Sequence, residues 1–421
     1  MTRLQAFSTR IATLEGWRRV VFYVAIYLFA CAVVIARRPD AILHAQFFAE
    51  DGRVWFADAY NFGWWAALFR PQVGYFQTLP RLGAALALLV PFSLAPLVLN
   101  VIAVAIQALP VPVLLSSRSA PWGPFGFRAL LAALYLFLPN TRDLSSVVTN
   151  SQWILALVAL ILLVALPPRS WIGRVFDLAV FVLSSLTGPF CIFLLPVAFV
   201  LWWSRRREIW PRVTLTILFF CCVTQVCSLL LNSSARPHPV LGANVEWFAR
   251  LLAGDVYLGT LLGGNIFSLR LSTEVIACLA VLGTVVLFVS AVSAPIGMRC
   301  LLVFSSLLFA AALVSPTTVT PPGATAWRLL AEAEGARYWF FPGLAFAWSL
   351  AYCTRSSTRL VRGTAIGLLV LMTVGFVRDF RYPAYADLSG HYAERLAQTP
   401  TGATLTIPIN PSGWDMRLVK H

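Results

Sequence analysis

The chain has 421 residues, of which 59% are hydrophobic and only 12% charged, and its formal net charge is +15. A water-soluble protein needs about a quarter of its residues charged, so this composition excludes a set of soluble domains and indicates a multi-spanning membrane protein. In a soluble chain the basic surplus would point to nucleic acid; here it must first be divided between the two faces of a bilayer.

Arg18 and Arg19 precede the apolar run 20–36, and Arg37-Arg38 follows it with no cleavable small-residue site. That run reads as an uncleaved first span. Ten more apolar runs follow, at 96–115, 129–138, 152–165, 176–187, 189–203, 213–231, 275–292, 300–314, 338–352 and 364–377. Several are shorter than the about 20 residues that cross a hydrocarbon core, so their helices extend into adjoining polar residues. The stretch 82–90 is shorter still, ends at Pro91, and reads as an interfacial or re-entrant helix. If it crossed fully, Arg205-Arg206-Arg207 would face outward, against the positive-inside rule.

The expected fold is therefore an all-α polytopic membrane protein of about eleven transmembrane helices, N-terminus cytoplasmic and C-terminus outside. Residues 1–377 form the membrane domain, with a long first outer loop at 37–95 and further outer loops at 232–274 and 315–337. Residues 378–421 form an outer tail with a helical stretch at 387–398 and a strand-like stretch at 404–407. Under this topology the cytoplasmic segments hold sixteen basic residues against Glu15, Asp177 and Glu208, a net of +13. The outer segments hold sixteen basic and fourteen acidic residues, a net of +2. The excess is thus a topology signal, and no basic run with interleaved aromatics suggests nucleic acid. The eight cysteines lie in apolar runs without a C-x-x-C pair, and the four histidines are scattered, which argues against a disulfide framework or a zinc site.

Loops as long as those on the outer face usually carry function. The first holds Trp55, Phe56, Tyr60, Phe62, Trp64, Trp65 and Phe69, an interfacial composition. Glu50 and Asp51 stand just ahead of this aromatic helix. A carboxylate there is favoured by the helix dipole and the free N–H groups, so Asp51 reads either as a plain cap or as a functional acid. Asp58 reads as a solvated face residue. In 315–337 a Pro/Thr-rich start turns helical, either a lid over a lipid groove or a surface loop.

The arrangement Glu50-Asp51-Gly52, aromatic helix, Pro71-Gln72-Val73-Gly74-Tyr75 and Pro80-Arg81, with Arg337-Tyr338 and Pro342 opening a late span, resembles the GT-C type glycosyltransferases. These are membrane enzymes that use polyprenyl-phosphate sugars. The resemblance covers the layout of roughly the whole chain, and small bacterial O-antigen or surface-polysaccharide modifying enzymes of the inner membrane look nearest. It implies inverting transfer of a sugar from a polyprenyl-phosphate donor to a hydroxyl of a glycan or lipid-linked acceptor on the non-cytoplasmic face.

Such transfer needs a base near the acceptor hydroxyl and a cation near the departing phosphate. Asp51 is the expected base, with Glu50 as its alternative or orienting partner. Arg337 is the expected phosphate ligand, because guanidinium binds phosphate bidentately; a snorkelling interface anchor is its other reading. Tyr338 adds aromatic surface, and Tyr75 belongs to the loop returning to the membrane. Arg270, Arg250 and Arg81 are further phosphate candidates. Asp143 is a possible second acid and Asn150 or Gln152 a possible sugar ligand, although Asn140 and Asn150 read more simply as helix caps. A divalent cation, magnesium or manganese, stays open, with Asp51 as its candidate ligand. Two other classes remain: a lipid-linked glycan ligase or polymerase working through late-loop residues such as Arg270, and a transporter, which would need ionisable residues inside the spans.

Overall fold

The computed structural model describes residues 16–264, 269–317, 320–333, 337–388 and 392–421. Each of the eleven apolar runs forms a helix. The longer helices are α1 (Gly16–Arg37), α2 (Thr78–Ala87), α3 (Phe92–Leu115), α4 (Phe125–Leu136), α5 (Ser151–Val164), α6 (Trp171–Ser185), α7 (Phe190–Ser204), α8 (Ile209–Leu231), α9 (Thr273–Ser293), α10 (Ile296–Val314), α11 (Phe340–Cys353) and α12 (Arg359–Arg378).

Six of these, α1, α3, α8, α9, α10 and α12, are long and apolar enough to cross a bilayer. The protein is thus a mainly helical membrane protein. The other five apolar runs give helices of 12 to 15 residues, short of the hydrocarbon thickness. Two of them, α5 and α11, are buried along their whole length. A helix walled in by other helices meets protein at its ends and not lipid, so its length is free of the bilayer's constraint. Around this central pair, α1, α9 and α12 leave most of their apolar residues on the outside of the bundle.

Connections gather at two ends. At one, Arg19 donates to Ser117 Oγ, Arg118 to the Leu166 carbonyl, Arg205 to the Val164 and Ala165 carbonyls, and Tyr352 to the Trp122 carbonyl. At the other, the Tyr382 amide reaches the Arg37 carbonyl, the Thr78 amide the Leu186 carbonyl, and the Asn140 amide the Asp379 carboxylate. Segments that the charge count assigns to one face therefore do meet at one end of the bundle.

The second end carries the larger layer. Its first loop holds a π-helical turn (Asp51–Phe56), two short helices (Ala57–Phe62 and Trp64–Leu68) and α2. The stretch 82–90 falls largely in α2, a ten-residue helix whose Leu79, Gly83, Ala84 and Ala87 are buried. The tail forms a helix (Tyr392–Gln398) and an antiparallel hairpin, β1 (Thr404–Ile409) and β2 (Trp414–Val419), paired from Thr404 with Val419 to Ile409 with Trp414. Phe47, Trp55, Phe56, Ile407, Ile409, Met416 and Leu418 form one buried cluster that binds tail to first loop. Gly52 stands at its tightest point: a Cβ there would lie 2.8 Å from Phe47 Cβ and 3.1 Å from Ile409 Cδ1, closer than packed carbons approach.

Candidate functional site

The loop leading to Glu50 turns sharply. Ala49 adopts φ 44°, a left-handed conformation costly for a residue with a Cβ, and its amide is held by the Asn410 carbonyl at 2.5 Å. From this turn Glu50 and Asp51 enter a helical stretch, where successive side chains point about 100° apart. The pair is thereby split.

Asp51 goes inward and is 1% exposed. Oδ2 accepts the Val148 amide at 2.9 Å; Oδ1 accepts the Thr149 amide at 3.0 Å and the Thr149 hydroxyl at 2.6 Å. The same hydroxyl accepts Trp55 Nε1 at 2.6 Å. Burial pushes the Asp51 carboxyl up to about 7, against the opposing pull of the Thr149 and Val148 donors. Asp51 does not cap its own helix with its side chain. It ties the first loop to the start of α5, and in this conformation a substrate hydroxyl has no access to it. The role of base expected for Asp51 therefore needs correcting. It also fits a metal poorly: both oxygens face N–H or O–H donors. Among the described residues no three His, Cys, Asp or Glu converge on a cation position.

Glu50 goes the other way, half-exposed. Its charge acts on Arg337 and on Tyr75. Asp143 joins from the 139–151 loop, whose turn (Arg142–Leu144) packs on the turn Arg337–Trp339. The Asp143 carboxylate accepts the Arg337 backbone N–H, and burial raises its pKa to about 6 against the attraction of Arg337, Arg142 and Arg38. Arg337 donates from Nη2 to Thr317 Oγ1 at 3.4 Å and lies 5.2 Å from the Tyr338 ring centre. Burial alone would loosen the Arg337 proton; Tyr338, Glu50, Asp143 and Tyr75 together outweigh it, and the guanidinium holds its proton more firmly than usual. Tyr338 shares its hydroxyl with Thr317 Oγ1 at 2.6 Å. Glu50, Tyr75, Asp143, Arg337 and Tyr338 are each half-buried.

Of the expected site residues, Glu50, Tyr75, Asp143, Arg337 and Tyr338 come together. Asn150 supports them: it is buried, and its Nδ2 donates to the Asp143 carbonyl at 2.6 Å. Its side chain caps no helix, nor does that of Asn140, which donates to the Asp255 carbonyl. Arg81 is a second correction. It is 2% exposed, bound to Asp58 at 2.6 Å and to the Arg70 carbonyl, and packed over Trp55, so it has no face for a phosphate. Asp58 is accordingly an ion-pair partner and not a solvated residue. Arg270 is exposed, and its neighbour Leu271 accepts from Arg250, which pairs with Glu246. The 315–337 segment, apart from residues outside the described ones, is tied down: Ala326 and Trp327 amides bond the Val240 and Leu241 carbonyls, and Trp327 Nε1 the Leu313 carbonyl.

Sequence reading missed two arginines. Arg38, 3% exposed, donates to the Ser145 carbonyl and sits among the rings of Phe48, Tyr382 and Tyr385, its charge acting on Asp143. Arg236 donates to Ser315 and acts on Tyr75. A signal for the first was present: under the topology expected from the charge count, Arg37-Arg38 departs from the positive-inside pattern. No family model, curated protein or solved structure matches this chain. Fold and site together define a helical membrane protein with a mixed acidic, basic and aromatic cluster at the end that carries its long loops.

Proposed function

We propose that the protein is an integral membrane glycosyltransferase that moves a sugar from a polyprenyl-phosphate donor to an acceptor hydroxyl at this cluster. The observation that carries the reading is the packing of the turn that holds Asp143 on the turn that holds Arg337, with the charge of Glu50 acting on the same guanidinium. The acceptor oxygen attacks the anomeric carbon and gives its proton to a carboxylate, while the bond from that carbon to the phosphate oxygen breaks. The phosphate leaves with the electron pair, and Arg337 stabilises the charge it gains. Asp143 replaces Asp51 as the base: its pKa of about 6 lies near neutral pH, where a base is most effective. Glu50 balances Arg337 and orients the acceptor. The chain's own charges perform these roles, with no step through a divalent ion.

Protein in nanodiscs, given a polyprenyl-phosphate sugar and a surface-glycan acceptor, should transfer the sugar, and Asp143→Asn should lower turnover by about 10²–10⁴-fold. Full turnover in Asp143→Asn with loss in Glu50→Gln would move the base to Glu50. Uptake of labelled substrate into liposomes without transfer would replace the whole reading by a transporter.

A further inference from the structure

At the opposite end of the bundle from the Arg337 cluster, α1, the end of α3 and α6 frame a cleft of about 580 Å³. Val20, Val24, Tyr27, Leu109, Val113, Leu162 and Phe176 make its walls apolar. Val20 and Val24 are exposed, so an apolar surface faces whatever fills the space. Its mouth is different. Arg19, Tyr23, Ser116 and Arg118 stand there, and Arg128 lies behind, donating to the Leu114 and Ser116 carbonyls. The acid at this mouth, Asp177, is fully buried and bound by both terminal nitrogens of Arg118 at 2.9 and 2.5 Å. Its charge is thus cancelled from within, and Arg19, exposed and bonded to the neutral Ser117 hydroxyl at 3.2 Å, gives the mouth a net positive charge.

An apolar trough ending in arginines at a bundle end is complementary to an acyl chain carrying an anionic headgroup. We propose that this cleft binds an anionic glycerophospholipid, an acyl chain along α1 and the phosphate at Arg19. Clusters of basic residues between helices at a membrane surface recognise such headgroups, and arginine does so with directed hydrogen bonds. A second cleft, of about 430 Å³ between α9, α11 and α12, is lined mainly by Leu and Val side chains, with Tyr257, Phe346, Cys353 and Thr364 among them and no charged residue. It offers a built-in comparison, because apolar volume alone predicts no headgroup preference. The proposal does not depend on the chemistry of the Arg337 cluster.

Native mass spectrometry of the full-length protein, titrated with phosphatidylglycerol and with phosphatidylcholine of the same chains, tests it. The expected result is tighter retention of phosphatidylglycerol, and an about fivefold loss of that preference in Arg19→Gln, the scale of one basic residue at a headgroup. Arg19→Lys should keep most of the preference. Val24→Trp, which fills the trough, should lower retention of phosphatidylglycerol with the thermal unfolding temperature unchanged; should that variant not fold, the exposed Arg19 pair of variants decides the matter. Equal retention of the two lipids by the wild type, an unchanged preference in Arg19→Gln, or displacement of the lipid by millimolar inorganic phosphate would overturn the proposal.

Discussion

Glu50 and Asp51 are neighbours in sequence and belong to two different regions of the molecule. Around Asp51 the structure is closed: one carboxylate gathers three donors, and the Thr149 hydroxyl links it to Trp55. Around Arg337 it is open: Glu50, Tyr75 and Asp143 surround a guanidinium yet keep surface exposed. Both regions draw on the same two loops, 37–95 and 139–151. A closed knot of charge and hydrogen bonds fixes the loops relative to each other, and the open cluster beside it is what that fixing positions. An acid whose lone pairs are filled holds structure; one that faces a cation across accessible space can meet a substrate.

After Asp143→Asn, the largest expected effect also breaks the open side. Arg337→Ala should lower sugar transfer by about 10²–10³-fold, the scale of removing one charge-stabilising donor, with the unfolding temperature near wild type. A fall in unfolding temperature matching the fall in activity would make Arg337 a structural residue like Arg81. Next comes the closed side. Asp51→Ala orphans the Val148 and Thr149 amides, at about 1–3 kcal/mol for each buried donor left unsatisfied, and should lower the unfolding temperature measured in detergent by intrinsic fluorescence. Thr149→Val keeps the carboxylate and its backbone donors but strands Trp55 Nε1; about 1–2 kcal/mol is expected from the same rule. If Asp51→Ala abolished transfer and left stability intact, the distinction between the two regions would collapse.

The smallest effect concerns pH. The Asp51 carboxyl is raised from 3.8 to about 7 in the folded protein, so between those values the folded state binds more protons than the unfolded one. Stability therefore falls as pH rises through that window, and Asp51→Asn should flatten this part of the curve. Transfer should run the opposite way, rising as Asp143 ionises around pH 6. A pH–rate profile and a pH–stability profile on the same preparation would separate the two acids.

Asp255 offers a further contrast. It also sits in a π-helical turn (Leu251–Leu258), fully buried, yet neither of its oxygens has a hydrogen-bond partner among the described residues. Burial raises its pKa well above the ordinary range. A neutral Asp255 explains how the site tolerates an acid there, and Asp255→Asn, of the same shape, should change stability by less than Asp51→Asn does.

How much of this was legible in the sequence differs from one residue to the next. The apolar runs located the helices, because periodic burial in lipid or protein demands apolar side chains whatever the tertiary arrangement. Five of those helices turned out shorter than a bilayer, and no run length could say that α5 and α11 are sheathed by their neighbours. Arg337 and Tyr338 stood out at the start of a late span and Tyr75 within the element Pro71–Tyr75 on which the resemblance rests; the electrostatic coupling of the three comes from the fold. Arg81 was misassigned for the same reason that it looked attractive: an arginine at the membrane surface is equally suited to a phosphate or to an aspartate, and only the fold brought Asp58 to within 2.6 Å of it. Arg38 escaped notice because its partners, Ser145, Tyr382 and Tyr385, lie more than a hundred residues downstream.

Sequence by itself determined the class of molecule, the places of its helices and the gathering of its long polar loops between them, since hydrophobicity and charge act residue by residue against solvent and lipid. It also supplied the acids and arginines. Which acid is buried and which is available was decided by tertiary structure alone. Burial and hydrogen bonding depend on what other segments bring within about 3 Å, and the left-handed turn at Ala49, held by Asn410 from the far end of the chain, sends two adjacent carboxylates to opposite fates.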